Sequence, residues 1–266
     1  MRDEAALGRL QAEPRREMAR LPTPLHRARN LEGRVAPRGP EIRLKRDDET
    51  GFALGGNKVR KLEYELAPAR LEGVTHLVTT GGPHSNHARV TAGAAAALGL
   101  ECVLVIDGEP DDPGRGNALL HRRFGARIVT VGHRDERAPA MERVAAAVAD
   151  EGGRARVVPL GASTPRGALG YVRAAMELDG QLPHPPRAGR SWIVLSSSSG
   201  GTLAGLAAGF CLLGRDDVHL LAVSADVPRE HLRERALGLA SEALELLGAG
   251  HAGLRASLRH DPGPSG

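Results

Sequence analysis

Short apolar runs punctuated by glycine recur along the middle of the chain. THLVTT (75–80), ECVLVI (101–106), RIVTV (127–131) and RVVPL (156–160) each read as a short buried strand. Between them, 86–98, 116–124 and 136–151 read as helices, and Gly99 and Gly125 stand where the first two should stop. Alternation of this kind predicts a parallel sheet with helices on its faces.

The pattern extends to both sides. EIRLKR (41–46) alternates enough for a strand, GFALGG then breaks the chain, and NKVRKLEYELAPA resumes as a helix that Asn57 is placed to cap. Val59, Leu62 and Leu66 share one face of that helix, leaving Lys58 and Lys61 as neighbours on another. Downstream, GALGYVRAAMEL (167–178) reads as a helix and DGQLPHPPRAGR (179–190) as a turn or linker. SWIVLSS then predicts a strand, GTLAGLAAGFCLL a helix, VHLLAVS a strand and 228–247 a long amphipathic helix, with 248–266 frayed.

Composition narrows the class. The chain has 266 residues, 41% hydrophobic and 26% charged, as globular proteins do, but only 2% aromatic. That scarcity removes a base-stacking platform, and the net charge of +4 comes from basic residues interspersed with acids, so nucleic acid is not an expected partner. Cys102 and Cys211 lie in separate apolar segments and read as buried thiols, with neither a disulfide framework nor a metal cluster. No stretch approaches the roughly 18 apolar residues of a membrane helix, the N-terminus lacks a signal-peptide core, and a cytoplasmic location is expected.

Lysine usage changes the picture. Only Lys45, Lys58 and Lys61 occur among 36 basic residues, so arginine serves almost wherever a cation suffices. A lysine in such a chain suggests a need for an amine, because a partly buried lysine can lose its proton and arginine cannot. Lys58 and Lys61 within GGNKVRK would equally serve as solvated helix cations.

Two strand-to-helix junctions carry further candidates. In TTGGPHSNHARV (79–90), Ser85 and Asn86 fall at the carboxyl end of a predicted strand, where open parallel sheets bind ligands; either is also a natural helix N-cap. His84 and His87 flank them, as tuning groups or as histidines on a solvated rim. SSSSGGTLAG (196–205) has the small residues and paired glycines of an anion-binding cup backed by a helix N-terminus, though a plain serine-glycine loop has the same composition. GxxxxGK[ST], GxGxxG with a downstream acid, HExxH and GxSxG are all missing, which removes the signatures of a nucleotide triphosphatase, a Rossmann dehydrogenase, a zinc protease and a serine hydrolase.

Taken in order, LPTPL near residue 21, IRLKRDDETGFALGGNKVRKLE, GGPHSNHAR, GNALLHRRFGA, GASTPRGALGYVRAAMEL and SSSSGGTLAG resemble the fold type II pyridoxal phosphate enzymes, similar to the tryptophan synthase β chain. The group that matches is that of D-cysteine desulfhydrase and 1-aminocyclopropane-1-carboxylate deaminase. The resemblance implies an α/β fold of two open parallel-sheet domains: a larger, discontinuous cofactor-binding domain from 1–55 and 167–266, and a smaller one from 56–166. It implies pyridoxal 5'-phosphate as cofactor, with Lys58 as its Schiff-base lysine and Asn86 on the ring hydroxyl. Ser198, Ser199, Gly200, Gly201 and Thr202 would hold the phosphate, and Ser85 would be the reactive serine. SNHAR resembles the desulfhydrase form more than SNQTR, the deaminase form, so D-cysteine ranks first as substrate; a homodimer is expected.

The resemblance breaks off near residue 247. Family members continue into strands and helices that bring a tyrosine near the substrate and a residue opposite the pyridine nitrogen, and HAGLRASLRHDPGPSG matches none of that region. A C-terminally truncated chain is the expectation, with an active lyase, a related deaminase and a non-catalytic relative of the same fold as the three open readings.

Overall fold

The computed structural model describes residues 1–35, 39–110, 112–182, 190–224, 226–251 and 253–254. The elements run α1 (Glu4–Ala12), β1 (Leu25–Arg27), α2 (Arg29–Val35), β2 (Arg43–Lys45), α3 (Lys58–Glu65), β3 (His76–Gly81), α4 (Asn86–Leu98), β4 (Glu101–Asp107) and α5 (Gly116–Arg123). They continue with β5 (Arg127–Val131), α6 (Arg137–Asp150), β6 (Ala155–Val157), α7 (Pro165–Gln181), β7 (Ser191–Ser196), α8 (Gly201–Leu213), β8 (Val218–Val223) and α9 (Arg229–Leu246).

The middle of the chain forms the expected parallel sheet, in strand order β5-β4-β3-β6. Val78 pairs with Val103 of β4 on one side and Val157 of β6 on the other. Leu77, Leu104 and Ile106 pack with α3 and α4 residues such as Leu62 and Val90, while Val78, Val103 and Val105 pack with Met141 and Val144 of α6. Covering both faces explains why these strands read as continuous apolar runs rather than alternating ones. The chain steps outward from β3 to β5 and then returns across β3 to add β6, so the crevice between β3 and β6 is where the strand order reverses. Ligands gather at the carboxyl ends of strands at such a point.

A second apolar core joins α1, α7, α8 and α9 to a parallel β7–β8 pair, in register from Ser191 with Val218 to Ser196 with Val223. Glycine sets its spacing: a Cβ on Gly205 would lie 2.4 Å from the Tyr171 Cβ, and one on Gly209 the same distance from the Ala175 Cβ, so α8 meets α7 backbone to backbone. The outer face of the pair leaves Trp192, Val194, Leu221 and Val223 exposed. A third, antiparallel pair joins β1 to β2, with His26 opposite Leu44.

Local expectations needed four corrections. Asn57 does not cap α3: its backbone is helical, and its side chain instead donates to Thr202 Oγ1 at 3.2 Å. The strand read from RVVPL ends at Val157, because Pro159 has no N–H to extend a ladder and the chain turns through Leu160–Ala162. α7 begins at Pro165, capped by Thr164 accepting from the Gly167 amide, and runs on through Gln181 into the expected linker; 183–189 lie outside the described residues, as does most of the tail predicted to fray. Of the two thiols only Cys102 is buried, and burial pushes it up to about 12; Cys211 is half-buried. α1 had no counterpart in the pattern, and Asp3 caps it by accepting from the Ala6 amide at 3.0 Å.

Among the described residues no helix is long and apolar enough to cross a membrane, and no group of three or more His, Cys, Asp or Glu is placed to hold a metal ion.

Candidate active site

The turn before α3 is strained. Ala53, Leu54, Gly55 and Gly56 all have positive φ (44°, 66°, 75° and 109°). A Cβ on Gly55 would sit 1.9 Å from the Asp48 carbonyl oxygen, so only glycine fits there. Non-glycine residues in this region cost on the order of 1–2 kcal/mol each and cluster where function fixes the backbone. The turn delivers Lys58 as the first residue of α3.

The three lysines differ in their surroundings. Lys45 donates to Glu177 at 2.9 Å, to the Thr23 carbonyl at 2.7 Å and to Gln181 at 2.8 Å, and is thereby consumed by structure. Lys58 is half-buried and has no hydrogen-bond or ion-pair partner among the described residues; burial lowers its pKa. Lys61 is almost fully buried, its pKa held well below the ordinary value by burial and by Lys58 beside it. The solvated pair of cations is therefore not what forms, and Lys58 is the lysine whose amine stands uncommitted.

Opposite α3 lies the serine-glycine loop. Gly200 has φ 84°, and α8 starts at Gly201 without a side-chain cap. The Gly201 amide donates to Ser163 Oγ at 3.2 Å, while the amides of Thr202 and Leu203 meet no acceptor among the described residues. Ser163 Oγ also accepts from Lys61 Nζ at 3.3 Å and lies 2.7 Å from Ser199 Oγ. A Cβ on Gly201 would come within 2.6 Å of that hydroxyl. Ser198 turns its hydroxyl outward onto Asp226, at 2.8 Å. The fold thus joins the loop to α3 through Asn57–Thr202 and to the end of β6 through Ser163.

Ser85 and Asn86 lie at the carboxyl end of β3, on the other side of the crevice. Ser85 caps α4, its Oγ accepting from the Ala88 amide at 3.2 Å. An open cleft of about 490 Å³ runs between Ser85 and Ser198, lined also by Gly82, Asp107, Arg137 and Asp226. The two histidines part company: His84 is exposed, and His87 is buried with Nε2 2.8 Å from Thr79 Oγ1. Since the Thr79 hydroxyl donates to the Val158 carbonyl at 2.7 Å, it accepts from His87. Burial and the two lysines hold the His87 pKa well below its ordinary value.

Ser163 and Asn117 were missed as site residues, and Lys61, named with Lys58 as a candidate amine, was given no role of its own. Asn117 Nδ2 donates to Asn86 Oδ1 at 2.9 Å and to the His84 carbonyl at 2.7 Å. Their motifs, GASTP and GNALL, were in view, but which groups they would meet depends on segments far away in sequence.

A phosphate fits this arrangement on two counts: half-buried Lys58 and nearly fully buried Lys61 have no carboxylate partner among the described residues, and a glycine turn leaves helix amides open beside Ser163, which Lys61 reaches. An aldehyde fits the uncommitted amine of Lys58. Fold and site therefore define an α/β enzyme built for a cofactor with both groups.

The comparisons with known proteins agree. The pyridoxal-phosphate dependent enzyme family matches residues 17–253. A putative 1-aminocyclopropane-1-carboxylate deaminase of Pyrococcus horikoshii is 36% identical over 237 residues, 88% of this chain and 70% of that protein. The D-cysteine desulfhydrase of Klebsiella pneumoniae is 39% identical over 209 residues, 77% of this chain and 62% of its own length. Among solved structures, an ACC deaminase homologue superposes with a TM-score of 0.83 at 34% identity, covering 97% of this chain and 75% of that one. A pyridoxal 5'-phosphate-dependent aspartate racemase shares the fold at 18% identity, with a TM-score of 0.60. The chain belongs to the pyridoxal-phosphate dependent enzyme family, with the fold type II architecture and pyridoxal 5'-phosphate as the family's cofactor. It spans 62% to 70% of the length of the two relatives named.

Proposed function

We propose that this chain is a pyridoxal-phosphate-dependent lyase of small amino acids, acting first on D-cysteine and releasing pyruvate, ammonia and sulfide with uptake of one water. The observation that carries the reading is Lys58: a half-buried lysine with no partner among the described residues, flanked by Asn57, which donates to Thr202, and by Lys61, which reaches Ser163 beside the serine-glycine loop. Lys58 would hold the cofactor's aldehyde carbon. Asn86 would meet the ring oxygen, and Ser198, Ser199, Gly200, Gly201 and Thr202 would surround the phosphate. Lys61, placed by Ser163 at the mouth of that loop, supplies a counter-charge.

When bound, the cofactor's ring withdraws electrons from the substrate α-carbon and stabilises negative charge there. The rest falls to the chain. Lys58, its pKa lowered by burial, takes the α proton. Ser85, at the edge of the cleft, orients the substrate carboxylate beside the α4 amides. Likeness to the deaminase homologue keeps aminocyclopropane carboxylate as the second substrate to assay.

We further propose the division into a discontinuous domain, 1–55 with 167–266, and a smaller one, 56–166, supported by two apolar cores that fall mostly on either side of it, with Tyr64 in the first and Phe52 and Ala53 packed against the second. The homodimer is likewise a proposal, to be tested by sedimentation.

The test is reduction with borohydride after loading with pyridoxal phosphate, followed by peptide mapping and assays for pyruvate and ketobutyrate. Label on Lys58 with pyruvate formed from D-cysteine supports the reading. Label on Lys45 or Lys61, or none, rejects the site; label on Lys58 without turnover of either substrate selects a non-catalytic relative. Ser85→Ala should abolish most turnover, and Ser85→Asn, which retains a capping oxygen, should fail equally; recovery in the asparagine variant would reduce Ser85 to a cap.

A further inference from the structure

Asn117 is the most completely committed amide around the crevice. Its Nδ2 gives one hydrogen to the His84 carbonyl (2.7 Å) and the other to Asn86 Oδ1 (2.9 Å). Its Oδ1 accepts from Arg89 Nη1 at 3.2 Å, and Arg89 Nη2 is anchored on the Gly55 carbonyl at 2.7 Å, inside the strained turn that leads to Lys58. Exchanging the two ends of the Asn117 amide would set its oxygen against two oxygens and its NH2 against a guanidinium. All three hydrogen bonds would be lost, so the orientation is fixed. His121, four residues further along the same face of α5, meets the Ser85 carbonyl through Nε2 at 3.4 Å and holds the same segment.

From this geometry we infer that Asn117, held by Arg89, is a positioning residue that makes Asn86 a hydrogen-bond donor to whatever it meets in the crevice. With Asn86 Oδ1 taken by Asn117, the group left for a ligand is Nδ2. A donor suits an anionic ring oxygen and disfavours a ligand that presents an N–H or O–H at that place. Arg89 also makes the relay continuous with the Lys58 turn, so the residue that holds the ring's oxygen and the residue that holds its aldehyde are set by one chain of hydrogen bonds. The inference rests on the cofactor reading above.

The test is Asn117→Asp, which keeps the shape and the Arg89 contact but removes both donors. Asn86 then turns its NH2 toward the new carboxylate and its oxygen toward the ligand. In the loaded protein the ring oxygen loses its donor and holds its shared proton more tightly. The pH midpoint of the visible band should therefore rise by about one unit, the size of one lost hydrogen bond. Asn86→Ala should give a similar rise, and the double variant no more than either alone. In the cofactor-free protein, the Asn86 side-chain amide resonance should move in Asn117→Asp, which no loss of activity can mimic. An unmoved midpoint or resonance, or shifts that add in the double variant, overturns the relay while leaving Lys58 labelling intact. Absence of label on Lys58 in the wild type overturns the cofactor reading, and the relay with it.

Discussion

Lys61 Nζ lies 3.3 Å from Ser163 Oγ, the hydroxyl that also accepts the Gly201 amide at the start of α8. A nearly fully buried lysine thus meets a neutral hydroxyl and a second lysine where a carboxylate would ordinarily stand. In the absence of an anion this costs stability, and a bound phosphate removes the cost.

Lys61→Met should therefore act in opposite directions. The unfolded lysine titrates near pH 10.4, and the folded one well below that, so between the two values the unfolded chain binds the additional proton and stability rises with pH, reaching its full value only above the unfolded pKa. At neutral pH the methionine variant should melt higher without cofactor, by about 2–4 °C for each kcal/mol recovered. Its affinity for pyridoxal phosphate should fall about tenfold or more, the value of one charge-assisted contact. Calorimetry and a cofactor titration check both. A lower melting temperature together with unchanged affinity would refute the assignment.

Gly201→Val should weaken cofactor binding more than Gly200→Ala. The Gly201 Cβ would meet the Ser163 Oγ at 2.6 Å and its Cα at 3.0 Å, whereas the nearest atom to a Gly200 Cβ is 3.7 Å away and the strain there is conformational, from φ 84°. Separating Ser163 from the loop also frees Lys61. Circular dichroism should report a folded protein in both cases, and equal affinities would remove the loop from the phosphate site.

Arg60 is buried, donating to Asp47 and Glu177 at 2.8 Å each and to Thr23 at 3.0 Å, with its guanidinium 5.9 Å above the Tyr171 ring. Arg60→Leu leaves Asp47 and Tyr171 paired with each other and Glu177 with Lys45 alone, and should cost about 3–5 kcal/mol, as broken buried pairs do. Lys45→Met, nearer the surface, should cost less than half as much. Urea midpoints compare them directly.

His87 and His121 both have pKa values lowered chiefly by burial, His87 further by Lys58 and Lys61. Unfolded histidine takes up its proton near pH 6.5, before either native ring does. Below that pH the unfolded state holds more protons, so stability should decline as pH falls, by up to about 1.4 kcal/mol per unit for each ring. His87→Gln, which preserves an N–H for Thr79, should flatten the decline between pH 6.5 and 5. An unchanged slope would mean that other groups carry the acid sensitivity.

Local pattern settled much of the fold. Apolar runs bounded by glycines placed β3, β4, β5 and all of α4 within a residue, because a doubly covered strand and a glycine-stopped helix are specified by neighbours a few positions away. The shortage of lysine likewise singled out three positions for amine chemistry before any contact was known. Which amine stands free was decided only by tertiary structure: Lys45 is consumed by α7, Lys61 is buried against Ser163, and Lys58 is left without a partner among the described residues. Asn57 turned from an expected cap into a link to Thr202, and Asn117 became the residue that orients Asn86. The physical reason is common to all of them. Helix and strand periods are written over a few residues, but a buried polar group must find its partner wherever the crossover to β6 and the packing of α8 against α7 bring one. Those partners lie tens of residues or more away, beyond the reach of any local pattern.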